Sequence, residues 1–171
     1  RPKKSKAFSQ NISNMRELAL NILDITENSL AAGAKLIEIA VTADFKADRM
    51  EISVRDDGKG MSPEMLARVT DPFTTTRTTR KVGMGLPLFR YSAESAGGSF
   101  HIESEEGKGT YVRAEYQISH VVRMPLGGFG GVALQLITMN PNVDFSFFAA
   151  NGEGGGGLDT RDLREILGED I

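Results

Sequence analysis

Two pairs of short alternating segments constrain this chain more than any other feature. In "KLIEIAVTA", Ile37, Ile39 and Val41 alternate with Leu36, Glu38 and Ala40, the period of a strand with one buried face. "RMEISVRDDG" follows with Met50, Ile52 and Val54 on one face, and the polar Ala47–Asp48 turn makes the two a hairpin. "SFHIES" and "TYVRAEYQI" repeat the arrangement around "EEGKG". Strands joined by turns this short run antiparallel. Their buried face needs a second layer, and the intervening segments supply it. From Met15 to about Ala32, Leu18, Ile22, Ile25 and Ser29 form one helical stripe, stopped by Gly33. Ser62 before Pro63 and Glu64 starts a second helix. Leu86 to Ala96, closed by Gly97–Gly98, is a third. The class is α+β: a two-layer sandwich of a mixed, mostly antiparallel sheet with helices on one face.

The character changes near Ser119, which divides the chain into a domain over residues 15–118 and a small α/β appendage over 119–171. The appendage is expected to hold a helix from Phe129 to Met139, a strand "VDFSFFAA", and a helix "LDTRDLREIL" capped by Asp159 or Thr160. "GGFGG" reads as a flexible joint and "NGEGGGG" as a flexible hairpin tip or loop. Val143, Phe145 and Phe147 share one strand face; that strand either extends the sheet or pairs with a second copy as a homodimer. Residues 1–14 carry four positive charges and no acid, and read as a flexible basic arm. Net charge is −3, Cys is absent, and 40% of residues are apolar. This excludes disulfides and thiolate metal sites and gives no reason to expect nucleic acid or membrane as partner. No apolar run approaches the roughly 18 residues of a membrane span. A cytoplasmic location fits.

Three glycine-containing segments sit where strands end or helices begin. Asp56 stands at a strand end, with Gly58 and Gly60 letting the backbone turn and admit a flat ligand closely. "KVGMGL" precedes a helix whose N-terminal amides form an anion site. "GKGT" leads into a strand. On the first helix Asp24 and Asn28 are four apart and share a face. An Asn oxygen suits Mg²⁺ when phosphates and water complete the shell, and a carboxylate one turn away can orient or deprotonate water. The same pair also describes a capped helix end with a solvated charge. Neither the P-loop nor the GxGxxG fingerprint is present.

The order Asp24-xxx-Asn28, Asp56-x-Gly58-x-Gly60, "DPFTTTR", Gly83-x-Gly85 and Gly107-x-Gly109-Thr110 resembles the GHKL ATP-binding superfamily of gyrase-type topoisomerases, heat-shock chaperones, sensor histidine kinases and mismatch-repair ATPases. "ENSLAAGA" looks like the mismatch-repair form of the helix motif, and "DPFTTTR" like the "DPFFTTK" of histidine kinases. The resemblance covers about Met15 to Tyr116. It implies the Bergerat fold and ATP with Mg²⁺. By resemblance, Asn28 would coordinate the metal and Asp56 would accept from the adenine amine. Gly60 and Met61 would lie against the base, and Thr110 would support Asp56. Thr70 to Met84 would form a lid carrying Thr75 and Arg77. Gly83, Gly85 and Leu86 would present amides to the phosphates.

Asp24 departs from the pattern. Hydrolysing members place a Glu there as general base, and histidine kinases commonly an Asn. An Asp carboxylate sits about 1.5 Å further back, a displacement that can cost about 10²-fold in rate. Glu27 is rotated about 100° from Asn28 and is a poor base candidate. The region after Tyr116 contains no Lys to match the γ-phosphate contact of hydrolysing members. His101 and His120 read as structural or surface residues rather than phosphoacceptors. The resemblance therefore implies an ATP/ADP-binding protein with slow ATPase or phosphotransferase activity toward a separate protein, with Asp24 catalytic. The alternative is a catalytically weak switch whose lid changes partner affinity between nucleotide states.

Overall fold

The computed structural model describes residues 18–71, 85–119 and 127–168. Helix α1 spans residues 18–31. It is followed by β1 (Leu36–Asp44), β2 (Arg49–Asp56), α2 (Pro63–Thr70), α3 (Gly85–Ser95), β3 (Phe100–Glu105), β4 (Gly109–Gln117), α4 (Gly127–Met139), β5 (Asp144–Asn151), β6 (Gly154–Asp159) and α5 (Thr160–Leu167). The strands form one sheet in the order β3-β4-β2-β1-β5-β6. Every neighbouring pair is antiparallel except β1 and β5. The parallel pair needs a crossover, which α4 provides.

Alternation decides the layers. Ile37, Ile39 and Val41 of β1, Met50, Ile52 and Val54 of β2, Val112, Ala114 and Tyr116 of β4, and Phe145 and Phe147 of β5 are all buried. Against them pack Leu18, Ile22 and Ile25 of α1, Leu86, Phe89 and Ala93 of α3, and Phe129, Val132 and Leu136 of α4. Burying each large side chain contributes about 1.5–3 kcal/mol, so this shared core holds the sandwich together. The opposite face is charged. Arg49 meets Glu115 at 2.6 Å, Arg113 meets Glu51 at 3.7 Å, and the Arg55 guanidinium lies 4.5 Å over the Tyr111 ring. Exposed pairs of this kind contribute little stability; they keep the face wet and unlayered. Among the described residues, no helix is long and apolar enough to cross a membrane.

Ser62 caps α2 by accepting from the Met65 amide at 3.2 Å, with Pro63 at the first helical position. Asp159 caps α5, accepting from the Arg161 amide at 2.9 Å. β5 lies inside the sheet between β1 and β6, so it extends this sheet and offers no free edge to a second copy.

Two expectations are overturned. The run Gly154–Gly157 is strand β6, each glycine paired to β5 from Gly154↔Asn151 to Gly157↔Phe148; only Gly152 and Glu153 form the tip. The backbone ladder needs no side chains, and β5 offers a ready template. "GGFGG" is the first part of α4 rather than a joint, because Phe129 is buried against Phe147 with ring centroids 6.0 Å apart. The expected arm, the lid residues Thr75 and Arg77, Gly83 and His120 lie outside the described residues.

Candidate functional site

Four apolar stripes run toward the same end of the sandwich, and each ends in a polar residue. On β2 the buried series Met50, Ile52, Val54 continues to Asp56. On β4 the series Tyr116, Ala114, Val112 continues to Thr110. On β3 Phe100 and Ile102 lead to Ser104, and on α1 Leu18, Ile22 and Ile25 lead to Ser29. Strand register sets three of these side by side, since Asp56 pairs with Thr110 and Thr110 with Ser104. The core's end is therefore an apolar cleft with a polar floor. It holds about 660 Å³ of space between atoms, the open solvent at its entrance included. Ile25, Val54, Met61, Met65, Leu86 and Val112 supply apolar walls, and Asn28, Ser29, Asp56 and Thr110 the polar groups.

Hydrogen bonds fix the floor. Ser29 donates its hydroxyl to Asp56 Oδ2 at 2.6 Å, and the Gly58 amide donates to Asp56 Oδ1 at 2.9 Å. Ser104 Oγ accepts from the Met61 amide at 2.8 Å, donates toward the Gly109 carbonyl at 3.1 Å, and lies 2.8 Å from Thr110 Oγ1. The next acid, Asp57, faces away from this work; its Oδ1 accepts from the Lys35 and Leu36 amides at 2.7 and 2.9 Å, tying β2 to the start of β1.

Gly60 and Gly109 have a different reason than ligand access. Gly60 has φ +66, and a Cβ there would stand 2.0 Å from the Glu105 carbonyl oxygen. A Cβ on Gly109 would stand 2.0 Å from the Asp56 carbonyl oxygen. The β3–β4 hairpin is pressed against the loop after β2, and that contact requires the missing side chains.

Asn28 also lines the cleft, and its buried Nδ2 has no hydrogen-bond partner among the described residues. A buried amide without a partner is costly, and its oxygen and nitrogen exchange places by rotation of the side chain. Among the described residues, no group of three or more His, Asp or Glu could hold a metal ion. Asn28 could thus hold Mg²⁺ only together with ligand oxygens and water, which is how this ion usually binds. Asp24, one turn earlier, stands against the first turn of α3; a Cβ on Gly85 would lie 3.0 Å from Asp24 Cβ.

Of the expected site residues, the cleft brings together Asn28, Asp56, Gly60, Met61, Leu86 and Thr110. Gly58 donates its amide to Asp56, and Asp24 and Gly85 lie against each other outside the cleft's lining. Sequence reading missed Ser29 and Ser104 as site residues. Their signal is visible afterwards: each is a hydroxyl at a position where the apolar period calls for a hydrophobe. His101 is exposed on β3, 2.8 Å from Glu103, far from this chemistry.

Comparison with known proteins bears on this cleft. The family model described as histidine kinase-, DNA gyrase B-, and HSP90-like ATPase matches residues 12–120. The chain is 34% identical over 112 residues to the sensor protein SrrB of Staphylococcus aureus, a match covering 63% of this chain and 19% of the relative. It is 26% identical over 114 residues to a putative sensor histidine kinase NtrY-like of Rickettsia conorii, covering 67% of this chain and 19% of the relative. The chain thus matches about a fifth of the length of these relatives. The crystal structure of the N-terminal domain of a DNA repair protein superposes with a TM-score of 0.51 at 15% identity, covering 92% of this chain and 60% of that one. At that identity the likeness speaks for the fold alone.

Proposed function

The chain belongs to the histidine kinase-, DNA gyrase B- and HSP90-like ATPase family and is an ATP-binding domain of that kind; from this premise we propose that it holds ATP with Mg²⁺ in the cleft and passes the γ-phosphate to a phosphoacceptor on a separate protein, with slow loss to water when none is docked. The observation that carries the proposal is Asp56, a carboxylate at the floor of an apolar cleft, gripped on both oxygens and still open as an acceptor. A flat base slides between the apolar walls and gives its exocyclic amine to that acceptor. The purine ring loses water at the same time, which supplies affinity that the single polar contact does not.

Asn28 would hold the metal through its amide oxygen, and its buried Nδ2 would be available to donate to a phosphate oxygen. Mg²⁺, when bound, neutralises the phosphate oxygens and holds the triphosphate in one geometry. The amides at the start of α3 face the same phosphates with the positive end of the helix dipole. Asp24 lies beside that helix start and one turn from Asn28, which suits it to take the proton from an attacking hydroxyl, imidazole or water. The sensor-protein names of the relatives favour a protein phosphoacceptor over water.

The test is incubation with γ-labelled ATP and Mg²⁺, alone and with host lysate. Labelled protein, or slow release of phosphate, lost in Asp24→Asn while ATP still binds, is the expected result. No binding at millimolar ATP overturns the proposal. Binding without any turnover, with or without lysate, makes the protein a nucleotide-dependent binding switch instead.

A further inference from the structure

We propose that two copies of this chain pair edge to edge through β6, antiparallel and about a twofold axis, so that their two sheets become one. β6 ends the sheet and lies beyond residues 12–120, the stretch matched by the family model. The rim of a sheet offers unpaired amides and carbonyls to any strand that arrives, and folded proteins commonly guard it with charge, proline or a bulge. The opposite rim is guarded in this way, since β3 carries the exposed His101, Glu103 and Glu105. β6 is not. Gly154 to Leu158 include no charge and no proline, and all are exposed. Their pairing with β5 runs without a bulge from Asn151↔Gly154 to Ser146↔Asp159.

The fold of one copy does not account for every glycine on this rim. A Cβ at Gly155 would stand 2.8 Å from Ala150 Cβ, and one at Gly157 would stand 2.9 Å from the Phe147 carbonyl oxygen, so these two are bare because β5 is close. At Gly156 a Cβ would meet nothing within 4 Å. Glycine weakens a strand interior, and no neighbour in this copy requires it there.

A second copy supplies the reason. A twofold axis perpendicular to the sheet keeps both helix layers on one side, and residues that meet across the joint then share a face. Two registers centre on the middle of β6. With Gly156 opposite Gly156, Glu153 falls against Asp159 of the second copy, like charge against like, which is unfavourable. With Gly157 opposite Gly157, Glu153 falls against Arg161 of the second copy and Gly156 against its Leu158. Glu153 is exposed and makes no ion pair among the described residues. Arg161 gives Nε and Nη2 to Asp159 and keeps Nη1 for another carboxylate. Leu158 is 39% exposed and shares the helix-side face with Phe147, its partner on β5. The open space over Gly156 receives that side chain from the second copy. Each contact occurs twice by symmetry, and charge and shape select the same register. Asp56, Thr110 and Ser104 stand on β2, β4 and β3, away from the joint, so both clefts stay open.

Sedimentation of the full 171-residue chain tests the pairing. A joint of one strand is small, so the dimer is expected to dissociate with a constant on the order of 10–100 µM. Glu153→Lys is expected to raise that constant about tenfold. A chain that stays monomeric up to about 1 mM, or a Glu153→Lys variant that pairs as well as the unsubstituted chain, overturns the proposal. Disulfide trapping reads the register, and it is clean because the chain has no cysteine. Gly156→Cys mixed with Leu158→Cys is expected to form the mixed disulfide faster than either variant links to itself. Tyr91→Cys, exposed on α3, measures chance collision. Faster self-linking of Gly156→Cys, or trapping no faster than with Tyr91→Cys, also overturns the proposal. Glu153 and Gly156 are exposed, so their variants keep the fold, which a thermal melt checks. If Leu158→Cys does not fold, Glu153→Cys with Arg161→Cys probes the facing pair at the end of the same joint.

Discussion

The two ends of one cleft are finished to different degrees. At the base end, the polar groups of Asp56, Ser29, Gly58 and Ser104 all engage protein partners. Where the phosphates are proposed to sit, Asn28 buries an amide nitrogen that has no partner among the described residues, and Asp24 lies against Gly85. The base end is built by strand register and rigid hydrogen bonds, so it exists before any ligand arrives. The proposed phosphate end carries a buried N–H donor that a phosphate oxygen would satisfy. Under the proposed function, base recognition would be preorganised and the phosphate site would be completed by the substrate.

Substitutions can break this contrast, the largest effect first. Asp24→Asn should reduce phosphate release or transfer by about 10²–10⁴-fold, the weight of a general base, with ATP affinity unchanged; labelled-phosphate assays and calorimetry read the two separately. Loss of affinity instead would mean that the phosphate end is also preformed. Gly60→Ala should destabilise the protein by about 3 kcal/mol, because its Cβ meets the Glu105 carbonyl. That corresponds to roughly 6–12 °C in Tm, and a smaller drop would show that the base end yields more than its geometry implies. Asp56→Asn keeps the fold but should weaken ATP by about 10–100-fold in a binding titration, with no effect on the Asn28 end when Mg²⁺ and pyrophosphate alone are tested.

Asp159→Ala is the outside control. It removes the α5 cap and should cost about 1 kcal/mol in denaturant unfolding without touching ATP affinity. Its pH dependence has a definite sign. Hydrogen bonding to Arg161 holds the Asp159 carboxyl below the usual range. Its contribution is present above the ordinary carboxylate value of about 4 and fades as pH falls through the lower folded value. The wild type should therefore lose its advantage over Asp159→Ala in acid, and keep it at neutral pH.

Local patterns carried most of the fold. The α1 stripe, both hairpins, the Ser62–Pro63 start and the Asp159 cap are each written within a few neighbouring residues. What stayed hidden needed a partner far along the chain. β6 is a strand because β5 lies beside it, and four consecutive glycines carry no side-chain pattern to announce that. Ser29 and Ser104 look like small residues tolerated on apolar stripes until their partners, Asp56 and Met61, arrive from elsewhere in the fold. Gly60 was read as making room for a turn and a flat ligand; the turn is there, at φ +66, and the Glu105 carbonyl also occupies the space a Cβ would need. Motif order found the site; register explains it.

Asn28 and Ser29 are consecutive residues on the last turn of α1. Under the proposed function the first would hold the metal, while the second donates to Asp56, the proposed acceptor for the base. A bound nucleotide that engages both becomes a strut between helix and sheet. Linkage makes the effect reciprocal: any force that slides α1 against β2 must loosen the nucleotide, and a tightly held nucleotide must stiffen α1 against such a force. The helix is in this sense a strain gauge for the occupancy of the cleft.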